Sequence, residues 1–115
     1  MRHQTPAQQR LLADIQRLLS TLLARDVADP RLAGISITRL EASGRQLITV
    51  WIYRSNEENE KLCLHALERM TPHFEHQLRR ALTKRQLPKL RFQWDHAFEK
   101  SGDVLMMLKK LEAEQ

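Results

Sequence analysis

Hydrophobic residues near the start of the chain recur at steps of three and four, the spacing of one helix face. The apolar positions of this stretch are Leu11, Leu12, Ile15, Leu18, Leu19, Leu22 and Leu23. Thr5 and Pro6 are typical of a helix start, with threonine as the N-cap and proline at the first helical position. The pattern therefore predicts an amphipathic helix that begins here and runs to about Arg25.

Strand spacing follows this helix. Residues 35–38 alternate between apolar and polar positions, residues 42–45 form a predicted hairpin turn around Gly44, and residues 47–53 alternate again. We expect the aliphatic set of the second strand to lie under the helices, and this set is Ile48, Val50 and Ile52. Trp51 and Tyr53 would then lie on the open face, where bases could stack. Large aromatic residues on a sheet more often simply cover their neighbours.

A second helical stripe runs through Leu64, Leu67, Thr71, Phe74 and Leu78. Ser55 and Glu58 have the spacing of a capping box at its start. Pro72 interrupts the stripe and lacks the amide hydrogen that a helix interior needs. We predict two helices that meet at a kink, with Thr71 capping the second one.

Pro88 ends this helical region, and a third strand follows in which Leu90, Phe92 and Trp94 alternate with Arg91 and Gln93. A short terminal helix is predicted to pack on its leucines and to fray beyond Lys110. Its apolar residues are Val104, Leu105, Leu108 and Leu111. The predicted order is helix, strand, strand, kinked helix pair, strand and tail helix, an α+β fold with helices on one side of a three-stranded sheet.

The length of 115 residues suits a single domain, residues 1–115, with a core at about 5–100 and a C-terminal helix and tail at 103–115. The formal net charge of +5 favours a polyanionic partner such as nucleic acid. Six cations occur between positions 79 and 91 without an acidic residue: Arg79, Arg80, Lys84, Arg85, Lys89 and Arg91. We interpret them as one phosphate-binding surface. Arg10 and Arg17 on the first helix are further candidates, although most charged residues on such a helix face are simply solvated.

Other chemistry has little support in the sequence. Cys63 is the only cysteine, which excludes a disulfide framework and agrees with a reduced cytoplasmic setting. His73 and His76 lack the further ligands of a metal site, and Asp26, Asp29 and Asp95 are isolated carboxylates near turns. No apolar run reaches membrane length, and the first residues lack the apolar core of a signal peptide. We expect no enzyme activity, no cofactor, no membrane and no small-molecule substrate.

Two motifs resemble those of the ribosome-binding factor A family. One is Asp29-Pro30-Arg31-Leu32 followed by Gly34-Ile-Ser-Ile-Thr38, and the other is Leu87-Pro88-Lys89-Leu90-Arg91-Phe92-Gln93-Trp94-Asp95. The resemblance extends from about Arg10 to Leu108 in the same order of elements. It implies a type II KH fold, binding to ribosomal RNA near the 5′ end of the small-subunit molecule, a role in late small-subunit maturation, and greatest importance in the cold.

Several positions depart from the family pattern. Met70-Thr71-Pro72 stands where the family has Ala-x-Gly at the kink, and Glu75 stands where it has an arginine. Lys89 replaces a glutamate, and Gly44-Arg45 lacks the family aspartate after Ser43. Arg80 and Arg85 match a family lysine and arginine. We interpret the chain as a divergent member of the family.

The main functional hypothesis is a non-enzymatic assembly factor, monomeric in solution, that binds the small ribosomal subunit and its RNA. The candidate RNA contacts are Arg79, Arg80, Lys84, Arg85, Lys89, Arg91, Arg10, Arg17 and Arg31. The alternative is a basic protein-interaction module or dimer that binds an acidic partner. Salt dependence of RNA binding separates the two, since phosphate contacts release counterions.

Overall fold

A computed structural model describes most of the chain as two helices and three strands. The described residues are 5–25, 32, 34–44, 46–54, 60–83, 87–98, 108, 111 and 112. The elements are α1 (Pro6–Arg25), β1 (Ser36–Ser43), β2 (Leu47–Tyr53), α2 (Glu60–Leu82) and β3 (Lys89–Trp94). This is the predicted α+β order, and the predicted limits of α1 and β2 are confirmed. Within the described part of the chain, neither helix combines the length and apolarity of a membrane span.

A reciprocal pair of hydrogen bonds fixes the start of α1. Thr5 Oγ1 accepts from the Gln8 amide at 3.1 Å, and Gln8 Oε1 accepts from the Thr5 amide at 3.0 Å. The two bonds satisfy amide groups that have no partner inside the helix. Thr5 is therefore the N-cap, as predicted, with Pro6 at the first helical position.

The sheet has the strand order β1-β2-β3, with β1 antiparallel and β3 parallel to the central β2. The hairpin turn uses Gly44 at φ +68°, a conformation that suits glycine. β1 extends to Ser43, so the strand predicted at residues 35–38 was too short, because residues 39–43 continue to pair with β2. Thr38 is an extra residue between Ile37, opposite Ile52, and Arg39, opposite Trp51, and so forms a β-bulge.

One face of the sheet is buried under both helices. Ile48, Val50 and Ile52 are buried on β2, as predicted, and Leu90, Phe92 and Trp94 are buried beside them on β3. The helices contribute buried residues that include Ile15, Leu19, Leu67, Phe74 and Leu78. The rings of Phe74 and Phe92 meet edge to face at 6.0 Å, which joins α2 to β3. Leu18, which the apolar pattern of α1 places in the core, is only partly buried at its margin.

The helix α2 continues through Pro72 without a new start. The Thr71 hydroxyl donates to the Leu67 carbonyl four residues earlier, at 2.9 Å. The prediction of a second helix capped by Thr71 is therefore wrong. Leu67 before the proline and Phe74 after it are buried in the same core, and this packing offsets the backbone bond that proline removes. The predicted cap at Ser55 and Glu58 lies outside the described residues.

The end of the chain departs from the prediction. Residues 96–98 form one helical turn, and Leu108, Leu111 and Glu112 are helical. Leu108 is 50% exposed and Leu111 is 57% exposed, so the expected packing of these two leucines is wrong. Val104, Leu105 and Lys110 lie outside the described residues.

Candidate nucleic-acid interface

Two of the predicted site residues, Arg79 and Arg80, lie on the outer surface of α2 near its C-terminal end. Both are exposed, because the same turns bury Phe74 and Leu78 in the core. Neither arginine side chain forms an ion pair or a hydrogen bond with another described residue. Cations near a helix C-terminus are favoured by the helix dipole, which offsets part of their mutual repulsion. Lys84 and Arg85, the next members of the predicted set, lie outside the described residues.

The chain leaves α2 through a residue in the left-handed region. Thr83 has φ +50°, and it is the one non-glycine residue with positive φ in the described part of the chain. Glycine usually occupies this position after a helix, and a β-branched residue there is strained. The next strand along the chain is β3, which runs parallel to β2.

Lys89 and Arg91 lie on a different surface from Arg79 and Arg80. On β3 they alternate with the buried Leu90 and Phe92, and both are exposed. Side chains alternate across a strand, so the two cations point to the open face of the sheet, away from the helices. The expectation of a single basic surface is corrected: the described cations divide between the outer surface of α2 and the open sheet face.

The candidates on α1, Arg10 and Arg17, are also exposed, but only Arg10 has no ionic partner among the described residues. Arg17 forms an ion pair with Asp14 at 3.3 Å, one turn earlier on the helix. Arg10, in the second turn of α1, is exposed and has no ionic partner among the described residues. Exposed pairs of this kind are weak, so Arg17 can exchange Asp14 for a phosphate at little cost. Arg31 lies outside the described residues.

Glu75 has a structural role that sequence reasoning missed. Its Oε2 accepts a hydrogen bond from the backbone amide of Leu90 at 3.0 Å. The amides of Lys89 and Asp95 donate to Gln46 and Ile52, respectively, on the β2 side. Successive amides of a strand point to opposite sides, and Leu90 is an odd number of positions from both residues. The amide of Leu90 therefore faces the free edge of β3, where Glu75 satisfies it. This contact gives the carboxylate at position 75 a structural role at the edge of the sheet.

A cation and an aromatic ring meet on the open face. The Arg39 Cζ lies 4.4 Å from the centre of the Trp51 ring, in the range of a cation–π contact. Arg39 also pairs with Glu41, and its Nε lies 3.5 Å from Asp95 Oδ2. The Trp51 Nε1 is covered and has no hydrogen-bond partner among the described residues. Covering a donor in this way costs roughly 1–3 kcal/mol.

Asp95 connects all three strands at one end of the sheet and is only 4% exposed. Its carboxylate accepts from Thr38 Oγ1 at 2.5 Å and from the Phe98 amide at 3.0 Å, and its own amide donates to Ile52 at 2.8 Å. The carboxylate thus satisfies a backbone donor, as is common for aspartate near a turn. Burial acts to raise the pKa of Asp95, but the bonds from Thr38 and Phe98 and the charge on Arg39 outweigh it and lower the pKa below 3.8.

The histidines lie apart from one another in separate contacts. His96 Nε2 is 2.9 Å from Glu60 Oε2, His65 is 3.9 Å from Glu68, and the His73 ring lies against Phe74. In the part of the chain that the structure describes, no three histidine, cysteine, aspartate or glutamate side chains converge as metal ligands. The candidate site therefore consists of exposed cations on two surfaces and a half-buried aromatic ring under Arg39.

Comparison with known proteins agrees with this fold and these features. The family model of ribosome-binding factor A matches residues 7–108. A ribosome-binding factor A of Coxiella burnetii (strain Dugway 5J108-111) is 31% identical over 104 residues, which cover 90% of this chain and 87% of the relative.

Solved structures lead to the same family. The crystal structure of ribosome-binding factor A from Thermus thermophilus has a TM-score of 0.67 at 26% identity, covering 75% of this chain and 92% of that one. A Thermus thermophilus ribosome-binding factor A homology model, fitted into a cryo-electron microscopy map of its complex with the 30S subunit, has a TM-score of 0.65 at 27% identity, covering 76% and 93%. The family match spans both helices and all three described strands, and so the chain belongs to the ribosome-binding factor A family.

Proposed function

We propose that this protein assists late maturation of the small ribosomal subunit and the processing of its RNA by binding small-subunit ribosomal RNA. Membership of a family of ribosome-binding factors supports the ribosome as the target. The Thermus thermophilus relative that was fitted into a map of a 30S complex supports the small subunit. The proposed action is binding that holds RNA in a maturing shape, without a chemical step.

The observation that carries the proposal is the pair Arg79 and Arg80 on the outer surface of α2. Both guanidinium groups are exposed and without described partners, so they can bind phosphate without first breaking a contact. Guanidinium matches the geometry of phosphate oxygens and stays charged at any physiological pH. Binding would release counterions from the RNA, so affinity would fall steeply with salt. Recognition through shape suits folded ribosomal RNA, whose helices expose few readable base edges.

Sedimentation with precursor small subunits tests the proposal. The double variant Arg79→Glu/Arg80→Glu places two carboxylates on the surface and should abolish co-sedimentation, while far-ultraviolet circular dichroism stays unchanged. The matched control is Lys61→Glu/Arg69→Glu, two exposed cations in the N-terminal half of the same helix. The control changes net charge equally and should retain most of the binding.

The salt dependence gives an independent readout. Neutral variants at positions 79 and 80 should reduce the slope of log affinity against log salt by about one unit for each lost phosphate contact. If the double charge reversal binds precursor subunits as well as the parent at matched ionic strength, α2 is not the RNA surface. The first helix, through Arg10 and Arg17, is then the next candidate. Binding that persists after the RNA is removed would instead support an acidic protein partner.

A further inference from the structure

We infer that the open face of the sheet is a second RNA site, at which a single-stranded segment stacks a base on Trp51 and places phosphates on Lys89 and Arg91. This inference rests on the proposed function, since it takes RNA as the ligand, but it concerns a surface on the opposite side of the sheet from the helices. The stacking site is closed in the structure by Arg39. The base would replace the guanidinium group on the ring.

The charges of the open face suit a nucleic-acid strand. Lys89 and Arg91 are two positions apart on β3, which places them roughly 6.6 Å apart on one side of the strand. Neither side chain has an ionic or hydrogen-bonded partner among the described residues. The exposed carboxylate of this face, Glu41, is already paired with Arg39 on β1. The β3 side therefore presents uncompensated positive charge, as successive phosphates of an extended strand require.

The aromatic residue is placed where the bases of such a strand would point. Trp51 lies on the central strand, in register with Gln93 on β3, so it is next to the row of cations rather than in it. In single-stranded RNA the phosphates lie on one side of the backbone and the bases can project to the other. An RNA segment on this face would place its phosphates along β3 and its bases over β2. The half-buried side chain of Gln93 has an amide donor and acceptor for a base edge. An acidic peptide would use the cations but would have no use for an aromatic ring beside them.

Arg39 can leave the ring without losing its place on the surface. It is held by Glu41, two residues along β1, and it contacts Asp95 at the end of β3. In the closed arrangement the Trp51 Nε1 donor is covered and has no described partner. Moving Arg39 aside exposes the ring face that it now covers. The displaced guanidinium, still beside Glu41, becomes a third phosphate ligand.

Fluorescence anisotropy with a labelled oligouridylate of eight nucleotides tests the inference on the full chain. Trp51→Leu keeps apolar cover but removes the ring, and it should weaken binding roughly 5- to 150-fold, the range for loss of one stacked base. Trp51→Phe keeps a ring and should recover most of the affinity. Lys89→Gln/Arg91→Gln changes only exposed positions and should reduce the salt slope by about 1.4, the value for two contacts to a single strand.

The matched control is Lys61→Gln/Arg69→Gln, which removes two exposed cations from the N-terminal half of α2 and should leave oligouridylate binding within about twofold. If Lys89→Gln/Arg91→Gln and a folded Trp51→Leu both bind as the parent does, the inference is wrong. If Arg79→Gln/Arg80→Gln loses oligouridylate binding and the open-face variants do not, all RNA contacts belong to α2; the proposed function then stands and this inference falls. The inference would also be overturned, in favour of an acidic protein partner, if poly-glutamate displaced the oligouridylate as strongly as RNA does and if binding of poly-glutamate depended on Trp51 to the same extent.

Discussion

The two faces of the sheet are made by the same three strands but are held by different interactions. On the covered face, aliphatic and aromatic side chains such as Val50 and Phe92 are buried against α1 and α2. On the open face, Arg39, Trp51, Lys89 and Arg91 stay partly or fully accessible. The covered face stabilises the fold through apolar burial, while the open face keeps charges and a ring available to a ligand. Substitutions on the two faces should therefore have separable effects on stability and on binding.

The largest effect should come from the covered face. Leu19 is fully buried, so Leu19→Ala should reduce the free energy of unfolding by about 2–5 kcal/mol. Leu18, its neighbour, is only partly buried, and Leu18→Ala should cost clearly less. Urea unfolding of the two variants measures both values. Equal losses would mean that Leu18 is as much a core residue as Leu19.

The next effect should come from Asp95, where the two faces meet. Asp95→Asn removes a charged acceptor shared by Thr38 and Phe98 and should cost roughly 1.5–3 kcal/mol. The pKa of Asp95 is lower in the folded protein than in the unfolded chain. The contribution of Asp95 to the stability of the fold is therefore complete above about pH 3.8 and is lost as the pH falls through the folded pKa. Unfolding from pH 5 to pH 2 should show this loss in the parent and less of it in Asp95→Asn. Identical pH profiles would contradict the assignment.

A smaller effect is expected at the free edge of β3. Glu75→Ala leaves the Leu90 amide without its acceptor and should cost about 1 kcal/mol, whereas Glu75→Gln keeps a carbonyl oxygen in place and should cost less. Amide hydrogen exchange at Leu90 should quicken in the alanine variant. Glu75→Arg, which removes the acceptor, should also quicken this exchange. Unchanged exchange in all three would show that Glu75 does not hold the edge.

The smallest effect on stability should come from the open face itself. Arg39→Ala removes the contact with Trp51 and should cost about 0.5–1 kcal/mol, because the pair is partly exposed. The variant should also raise the pKa of Asp95, since one of the charges that lower it is gone. Tryptophan fluorescence should become more accessible to quenching by acrylamide. A large loss of stability would place Arg39 with the core and would weaken the division between the faces.

Local patterns were sufficient for much of the fold. The cap at Thr5 and the limits of α1 and β2 follow from contacts between residues a few positions apart, which sequence spacing describes directly. Pro72 shows where this reasoning failed. The local rule predicts a new helix at a proline, but burial of Leu67 and Phe74 in one core keeps α2 continuous. Propensity loses to packing when both sides of a break are buried together.

The candidate site divides in the same way. Charge counting found Arg79, Arg80, Lys89 and Arg91, but their closeness along the chain wrongly suggested one surface. The parallel pairing of β3 with β2 places the last two on the opposite side of the sheet from the helices. Nothing in the spacing of residues could have found the role of Glu75, whose partner is an amide 15 residues away.

The sequence by itself determined the period of each element, the apolar side of each strand, the basic character of the chain and its family resemblance. These properties depend on residue type and on neighbours along the chain. Only the tertiary structure decided which charges share a surface, which ring Arg39 covers and how Asp95 joins Thr38 across 57 residues. Such contacts depend on strand register and on the path between strands. Both are set by packing of the whole core, so no short stretch of sequence contains them.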